Sequence, residues 1–242
     1  MAQLAQDAAA FVLPSICLAC RVDPVRELWR GGVCAACWKA LPRRDASRCG
    51  VCDEPLGEAA AGPACGRCLL DPPPFARLAA AAPYRGSARE ILLAFKFQGA
   101  DFLGARLADV LVERLEETGA DEIAAVPATP RARRERGYHP AGVLAAEVAR
   151  RLGRPLADGR LVKTRETERQ SLVPAARRRA NVRGAFRVRG TPPRRVLLVD
   201  DVATSGATAR ECASRLCSAG AREVEVWCFA RAARGDVEPV LP

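Results

Sequence analysis

The chain has 242 residues, of which 49% are hydrophobic and 27% are charged, and its formal net charge is +10. These values are ordinary for a globular protein, and no apolar run reaches the roughly 20 residues that a membrane span needs. Residues 1–14 lack a basic start and carry Asp7, which argues against a secretory signal. We therefore expect a cytoplasmic protein without membrane insertion, built from one α/β core and a small attached module.

The first segment, residues 1–72, is expected to be a short helix over Leu4–Leu13 followed by a metal-binding module. Eight cysteines form four identical Cys-x-x-Cys pairs: Cys17 and Cys20, Cys34 and Cys37, Cys49 and Cys52, and Cys65 and Cys68. Four thiolates fill a tetrahedral Zn²⁺ site and leave no open position for substrate, so two structural zinc ions are predicted. The spacing allows sequential pairing, two neighbouring pairs to each ion, and also interleaved pairing.

Consecutive prolines after Asp71 disfavour helix, and we place a domain boundary there, with a second domain over residues 73–242. Beyond it, strand-like and helix-like segments alternate, which predicts a mostly parallel sheet with flanking helices. Strands are expected at Leu78–Pro83, Glu122–Val126, Arg195–Val199 and Glu223–Phe229, with short apolar runs near Leu161 and at Ala185–Val188. Helices are expected at Ser87–Phe97, Phe102–Glu117, Ala141–Leu152 and Ala207–Ala219.

Positive charge is concentrated between Pro127 and Arg195, where there are 19 basic and 5 acidic residues, whereas residues 1–75 hold 8 of each. Such a surface attracts phosphate groups, whether of a nucleotide or of nucleic acid. We expect this arginine-rich segment to form a functional basic surface that binds phosphate groups. A general preference of the chain for arginine over lysine is the alternative explanation.

The most informative segment is 196–208, in which an apolar strand is followed by Asp200 and Asp201 and then by a small-residue loop that opens onto a helix. Small residues let backbone N–H groups approach a phosphate at the positive end of a helix. The two acids, placed where the strand is expected to end, can accept hydrogen bonds from ribose hydroxyls. The predicted phosphate-binding residues are Ala203, Thr204, Ser205, Gly206, Ala207 and Thr208.

Segment 196–208 closely resembles the phosphoribosyl pyrophosphate motif of type I phosphoribosyltransferases. With the cysteine pairs and several further blocks, the chain resembles the ComF family, competence-associated proteins that join a double zinc ribbon to a phosphoribosyltransferase domain. The blocks are Pro72–Phe75, Leu93–Gly99, Val126–Pro130, Arg136–Tyr138, Thr164–Arg165, Gln170–Leu172 and Asn181–Phe186. One departure is His139–Pro140, where the family usually has Asn-Gln; His139, the only histidine, is expected to be incidental.

The resemblance implies that residues 126–131 form a pyrophosphate loop, with Ala128 and Arg131 as ligand contacts, and that Lys163–Arg183 is a mobile loop. It implies glycosyltransferase chemistry with Mg²⁺ on the pyrophosphate. The catalytic candidates are Asp200, Asp201 and Arg165. It also implies a role in the uptake of single-stranded DNA during natural transformation, with DNA-uptake proteins as partners and the arginine-rich segment 127–195 as the contact with DNA.

Two other functions stay open at this point. One is a metabolic phosphoribosyltransferase that acts on a nucleobase or an amine, and the other is a non-catalytic sensor of a phosphoribosyl ligand. The sequence contains no recognisable nucleobase-specific hood, which argues against the first of these. The intact acid pair does not separate a sensor from an enzyme, because ligand binding and catalysis share those residues.

Overall fold

A computed structural model of the chain describes residues 15–22, 24–25, 32–44, 47–56, 63–115, 118–168, 173–174 and 177–233. The helix expected at Leu4–Leu13, the end of the helix expected to reach Glu117, and the Gln170–Leu172 block lie outside these residues. Within them, no helix is long and apolar enough to cross a lipid bilayer.

The N-terminal module contains short elements around its cysteines. They are the antiparallel pair β1 (Ser15–Ile16) and β2 (Pro24–Val25) and the short helices α1 (Ala35–Lys39) and α2 (Gly66–Leu70). The N-cap residues of α1 and α2 are Cys34 and Cys65. These helices were not predicted, because a single turn is too short to show a hydrophobic period. The boundary drawn at residue 72 stays a prediction.

The rest of the described chain forms an α/β domain. Its helices are α3 (Gly86–Phe97), α4 (Leu103–Arg114), α5 (Pro130–Arg136), α6 (Pro140–Leu152), α7 (Arg178–Val182) and α8 (Ala207–Ser218). Its strands are β3 (Arg77–Pro83), β4 (Glu122–Ala125), β5 (Leu161–Lys163), β6 (Phe186–Val188), β7 (Arg195–Ala203) and β8 (Glu223–Arg231). A parallel sheet has the order β3-β8-β7-β4, and β5 pairs antiparallel with β6. The predicted parallel sheet with flanking helices is confirmed.

Both faces of the parallel sheet are buried, as the alternation along its two central strands shows. On β7, Leu197 belongs to the core that contains α3, α4 and α6, whereas Leu198 belongs to the core that contains α8 and β6. Trp227 and Cys228 of β8 divide in the same way. Two-sided burial is typical of parallel sheets, because crossover helices cover both faces. Polar side chains can therefore cluster at the strand ends rather than on the faces.

The N-terminal module packs against both faces of this sheet. Cys17 belongs to the core shared with α3, α4 and α6, whereas Cys52 belongs to the core shared with α8. At the edge of the sheet, the Leu78 N–H of β3 donates a hydrogen bond to Val51 O at 2.8 Å. The module therefore wraps around β3 and pairs a backbone donor of an edge strand that would otherwise be exposed.

Two strands are longer than the sequence predicts. β7 continues through Asp200 and Asp201 to Ala203, so the acids lie within the last part of the strand rather than after it. β8 likewise continues to Arg231. The backbone ladder explains both extensions, because Ala203 is in register with Arg231 and backbone pairing does not require apolar side chains.

Helix α5 was not predicted either. None of its side chains is buried, so it has no apolar face that a helical period could reveal. Capping defines it instead: the Thr129 side chain accepts a hydrogen bond from the Ala132 N–H at 3.1 Å, Pro130 starts the first turn, and Gly137 ends the helix at a φ of 80°. Because α5 closely follows β4, its four arginines lie near the carboxyl-terminal edge of the sheet.

The contact between α4 and α6 gives a test of the packing. A Cβ added at Gly104 would lie 2.4 Å from Val143 Cγ1. We expect Gly104→Ala to lower the free energy of unfolding by about 1–3 kcal/mol through overpacking, although alanine favours a helix interior by about 1 kcal/mol over glycine. Urea unfolding measures this loss. The double variant Gly104→Ala with Val143→Ala should recover most of the lost unfolding free energy. A double variant no more stable than Gly104→Ala would show that the close contact between residues 104 and 143 is not the cause of the loss.

Candidate functional site

The eight paired cysteines form two separate clusters. In the first cysteine cluster, the Sγ atoms all lie within 4.8 Å of one another and belong to Cys17, Cys20, Cys34 and Cys37. The same holds in the second cysteine cluster, formed by Cys49, Cys52, Cys65 and Cys68. The pairing is therefore sequential, and the interleaved alternative is excluded.

The geometry of both clusters fits a tetrahedral Zn²⁺ ion. With Zn–S bonds of about 2.3 Å, neighbouring sulfurs lie about 3.8 Å apart. The Sγ–Sγ distance is 3.9 Å between Cys17 and Cys37, and 3.7 Å between Cys52 and Cys65. Four thiolates leave no position for a substrate, which is the arrangement of a structural rather than a catalytic site.

The first cysteine of each cluster is prepared for metal binding by backbone donors. Cys17 Sγ accepts a hydrogen bond from the Cys34 N–H, and Cys49 Sγ accepts one from the Cys65 N–H, both at 3.2 Å. Burial by itself raises the pKa of the Cys17 and Cys49 thiols, but these and neighbouring N–H donors lower it to about 7 in both. Because the thiolate is the metal ligand, the hydrogen bonds favour metal loading at neutral pH.

The candidate ligand site lies at the carboxyl-terminal end of β7, where Asp200 and Asp201 are adjacent. Asp201 is buried and forms an ion pair with Lys96 of α3, with 2.9 Å between Nζ and Oδ1. Asp200 Oδ1 accepts from the Asp201 N–H at 2.9 Å, and Asp201 Oδ1 accepts from the Val202 N–H at 2.6 Å. Besides burial, a side-chain hydrogen bond between the two carboxyl groups contributes to the high pKa of Asp200. The carboxylate oxygens of this pair are the acceptors that the site offers to a ligand.

Charge at the acid pair is only partly balanced. Burial raises the pKa of Asp200 well above its usual value and repulsion from Asp201 adds to this, whereas Lys96 acts to lower it. A cation or hydrogen-bond donors brought by a ligand would favour the ionised form of Asp200. Lys96 is absent from the predicted site residues, although two signals mark it. It is one of three lysines in the chain, and it lies in the Leu93–Gly99 block.

The predicted phosphate loop follows the acids directly and leads into α8. Gly206 is the N-cap of this helix and has a φ of 74°, a left-handed conformation that glycine adopts without steric cost. Ser205 Oγ accepts a hydrogen bond from the Ala207 N–H at 3.3 Å. The structure thus brings the loop, its hydroxyls and the positive end of a 12-residue helix next to the acid pair.

The predicted pyrophosphate loop also lies beside the acids, because β4 pairs in parallel with β7. The Val126 N–H donates to Val199 O at 2.9 Å, one residue before Asp200. His139, expected to be incidental, instead contacts this loop, since its Nε2 is 2.9 Å from Val126 O and 3.2 Å from the Ala128 nitrogen. Burial lowers the pKa of His139, which favours the neutral ring. The imidazole is therefore a support for the loop.

The two arginines predicted to act on the ligand are both exposed and already engaged. Arg131 forms an ion pair with Glu135 along α5, at 2.7 Å. Arg165 donates to Asn181 O and Arg183 O at 2.9 and 2.8 Å, so it links the two ends of the predicted mobile loop. Among the described contacts neither guanidinium reaches the acid pair, and the ligand roles of both stay predictions.

A second side chain missed by the sequence reasoning is Arg231, the last residue of β8. It is buried, and it donates a hydrogen bond to the backbone oxygen of Ala203, where the phosphate loop begins. The one local signal for it is a charged residue at the end of the apolar run 226–230.

Comparison with protein families yields two matches along the chain. The family described as Double zinc ribbon domain matches residues 8–69, and the family described as Phosphoribosyl transferase domain matches residues 141–240. The first match spans both cysteine clusters, and the second contains the acid pair, the phosphate loop and α8.

Relatives match this chain over almost its whole length. The chain is 32% identical over 230 residues to the DNA utilization protein YhgH of Salmonella typhi, covering 90% of this chain and 98% of the relative. It is 30% identical over 227 residues to Competence protein F of Haemophilus influenzae, covering 89% and 96%. The crystal structure of orotate phosphoribosyltransferase from Aeropyrum pernix covers 61% of this chain and 66% of its own, with 21% identity and a TM-score of 0.33. On the two family matches and the full-length relatives, the chain belongs to the ComF family, in which a double zinc ribbon precedes a type I phosphoribosyltransferase-like domain.

Proposed function

We propose that this protein binds the phosphoribosyl part of phosphoribosyl pyrophosphate at the carboxyl-terminal end of β7. The observation that carries the proposal is the acid pair Asp200 and Asp201, set against Lys96 and followed at once by a small-residue loop at the start of α8. In this proposal, ribose hydroxyls donate hydrogen bonds to the two carboxylates. The 5′-phosphate binds the N–H groups and hydroxyls of the loop.

The pyrophosphate group is assigned to the second loop at this edge. The Ala128 backbone and Arg131 hold it, and His139 keeps the loop in place. Mg²⁺ bound with the ligand would supply positive charge, and the pyrophosphate and carboxylate oxygens at this edge are the kind of ligand that it prefers. Arg165, on the predicted mobile loop, offsets charge that develops on the departing pyrophosphate.

Transfer of the phosphoribosyl group to an acceptor is the activity that this assignment favours. Pyrophosphate release in the presence of candidate acceptors tests it. Binding without release would identify a sensor, and turnover with a free nucleobase or amine would identify a metabolic enzyme instead.

A contact with single-stranded DNA, in the cytoplasm and together with DNA-uptake proteins, is the second part of the proposal. Two relatives at 30–32% identity are named for DNA utilization and for competence. The exposed residues Arg133 and Arg134 on α5 support this part, because they place positive charge near the edge that carries the acid pair. Phosphate backbones bind such surfaces without sequence preference.

Removal of either carboxylate tests the ligand site. Asp200→Asn and Asp201→Asn should each weaken the binding of phosphoribosyl pyrophosphate with Mg²⁺ by about tenfold or more, since a hydrogen bond to a charged group contributes about 1.5–3 kcal/mol. Titration calorimetry measures the affinity. Asp121→Asn is the matched control, because Asp121 pairs with Arg195 at the opposite edge of the sheet, at 2.8 Å. An equal loss of affinity in all three variants would show that the ligand does not bind at the acid pair.

Proton release gives an independent test of Asp200. Its pKa is raised in the free protein, and the proposed ligand favours the ionised carboxylate, so binding should release protons and affinity should rise with pH until Asp200 is ionised in the free state. Calorimetry in buffers of different ionisation enthalpy, from about pH 5 to about pH 8, counts the protons. Asp200→Asn removes this titration and leaves that of the ligand phosphates; an unchanged proton count in the variant contradicts the assignment.

Two arginine pairs test the DNA contact. Arg133→Ala with Arg134→Ala should weaken binding of a single-stranded oligonucleotide and reduce the slope of log affinity against log salt by about 1.4, about 0.7 for each lost phosphate contact. Arg43→Ala with Arg222→Ala removes the same charge at exposed positions outside the arginine-rich segment and should leave the slope unchanged. Arg179 is less suitable for this test, because it pairs with Asp71 and its loss disturbs a tertiary contact. Equal slopes in both double variants would reject α5 as the contact.

A further inference from the structure

One buried arginine joins the second cysteine cluster to the phosphate loop. Arg231 is 1% exposed, and all three of its guanidinium nitrogens donate hydrogen bonds, two of them to the turn at residues 52–54 and the third to the backbone oxygens of Ala203 and Ala232. Nε donates to Cys52 O at 3.2 Å, Nη1 to Ala203 O at 3.2 Å, and Nη2 to Glu54 Oε2 at 2.6 Å. Cys52 belongs to the cluster and Ala203 starts the loop. The Arg231 side chain therefore contacts both the metal-binding turn and the phosphate loop.

The charge of Arg231 is neutralised by Glu54, whose position depends on the cysteine turn. The Glu54 side chain is largely buried and also lies 3.8 Å from Arg67. Its backbone oxygen accepts from the Cys49 N–H at 2.9 Å, and the Asp53 N–H donates back to Cys49 O at 2.9 Å. A buried guanidinium that loses its carboxylate partner is strongly destabilised. A change in the metal-binding turn that displaces Glu54 would therefore weaken the ion pair that stabilises Arg231.

The contact with Ala203 passes this effect to the phosphate loop. Ala203 O accepts from Arg231 and also from the Ala232 N–H at 2.9 Å, so it is held where β7 turns into the loop. Cys52 lines the same cleft as Ser205 in the middle of the loop. The second cluster and the loop are direct neighbours, and Arg231 fixes their relative position.

The first cysteine cluster provides an internal comparison. Cys17 packs in the core of α3, α4 and α6, on the face of the sheet opposite to α8. Within the described ranges, no hydrogen bond joins the first cluster to residues 203–208. An effect transmitted through Arg231 should therefore be confined to the second cluster.

We propose that Arg231 is a positioning residue through which the metal of the second cysteine cluster orders the phosphate loop, so that metal retention there and binding of the phosphorylated ligand are coupled. The coupling is reciprocal at equilibrium: bound metal raises the ligand affinity by the same factor by which bound ligand raises the metal affinity of the second cluster. The ligand half of this proposal rests on the proposed function, whereas the ordering of the loop does not.

The first test needs no ligand and uses the zinc-loaded, full-length protein. Glu54→Gln keeps the size of the side chain but removes the charge opposite Arg231, and Arg231→Lys keeps the charge but loses the planar fork. Both should speed amide hydrogen exchange in residues 203–208 by about tenfold. Glu225→Gln is the matched control, because Glu225 is a similarly buried carboxylate on β8 that pairs with Arg77 instead, at 3.5 Å. Unchanged loop exchange in Glu54→Gln and Arg231→Lys overturns the positioning role.

The second test resolves the two clusters during challenge with a chelator. Cysteines that lose metal become accessible to iodoacetamide, and mass spectrometry assigns each alkylated peptide. Phosphoribosyl pyrophosphate with Mg²⁺ should slow alkylation of the second cluster by about fivefold or more and leave the first unchanged. Glu54→Gln should abolish this selective protection. Equal protection of both clusters, or full protection in Glu54→Gln, overturns the coupling.

Calorimetry on the same wild-type sample separates failure of this proposal from failure of the proposed function. An absence of binding rejects the ligand assignment and leaves the exchange experiment to decide the role of Arg231. If the ligand binds but protects both cysteine clusters equally from alkylation, the coupling is rejected and the ligand assignment stands.

Discussion

The parallel pairing of β7 with β4 and β8 is the constraint on which the candidate site depends. Parallel strands end at the same edge of a sheet, so pairing alone places the loop after β4, the acid pair of β7 and the end of β8 side by side. Helices and the N-terminal module cover both faces of this sheet, which leaves its carboxyl-terminal edge as the place where polar groups collect. For this reason Val126, two residues before Ala128, bonds to Val199 next to Asp200, and Ala203 lies opposite Arg231, although these segments are distant in sequence.

The charges at this edge are unusual because two carboxylates occupy successive positions of one strand. Successive strand residues point to opposite sides of the sheet, so the two carboxylates have different surroundings. Asp201 is buried, and its charge is balanced by an ion pair with Lys96 of α3. Burial and the neighbouring charge keep the pKa of Asp200 high. A site of this kind is poised to gain a cation or hydrogen-bond donors, which is the property that a phosphorylated sugar with Mg²⁺ would use.

The N-terminal module depends on the domain that follows it. A cysteine-rich segment of this length buries little apolar surface by itself, and metal binding supplies folding free energy that its core does not. Here each cluster also joins a different core of the sheet, with Cys17 on one face and Cys52 on the other. Arg231 and the backbone contact of Val51 with Leu78 add polar links to this shared packing. The N-terminal module therefore packs next to the predicted phosphate loop that begins at Ala203.

The sequence by itself determined the features that arise from local spacing: the Cys-x-x-Cys pairs, the alternating strands and helices, and the order of strand, acid pair, small-residue loop and helix at 196–208. Local backbone preferences and side-chain periods are enough for these. Only the tertiary structure decided the sequential pairing of the clusters, the ion pair of Lys96 with Asp201, the support of the Ala128 loop by His139, and the link made by Arg231. Each of these joins segments that are far apart along the chain, so it depends on how strands and helices pack and not on any pattern within one segment. The same reason explains the lengths of β7 and β8, in which backbone pairing continues past the end of the uninterrupted apolar run.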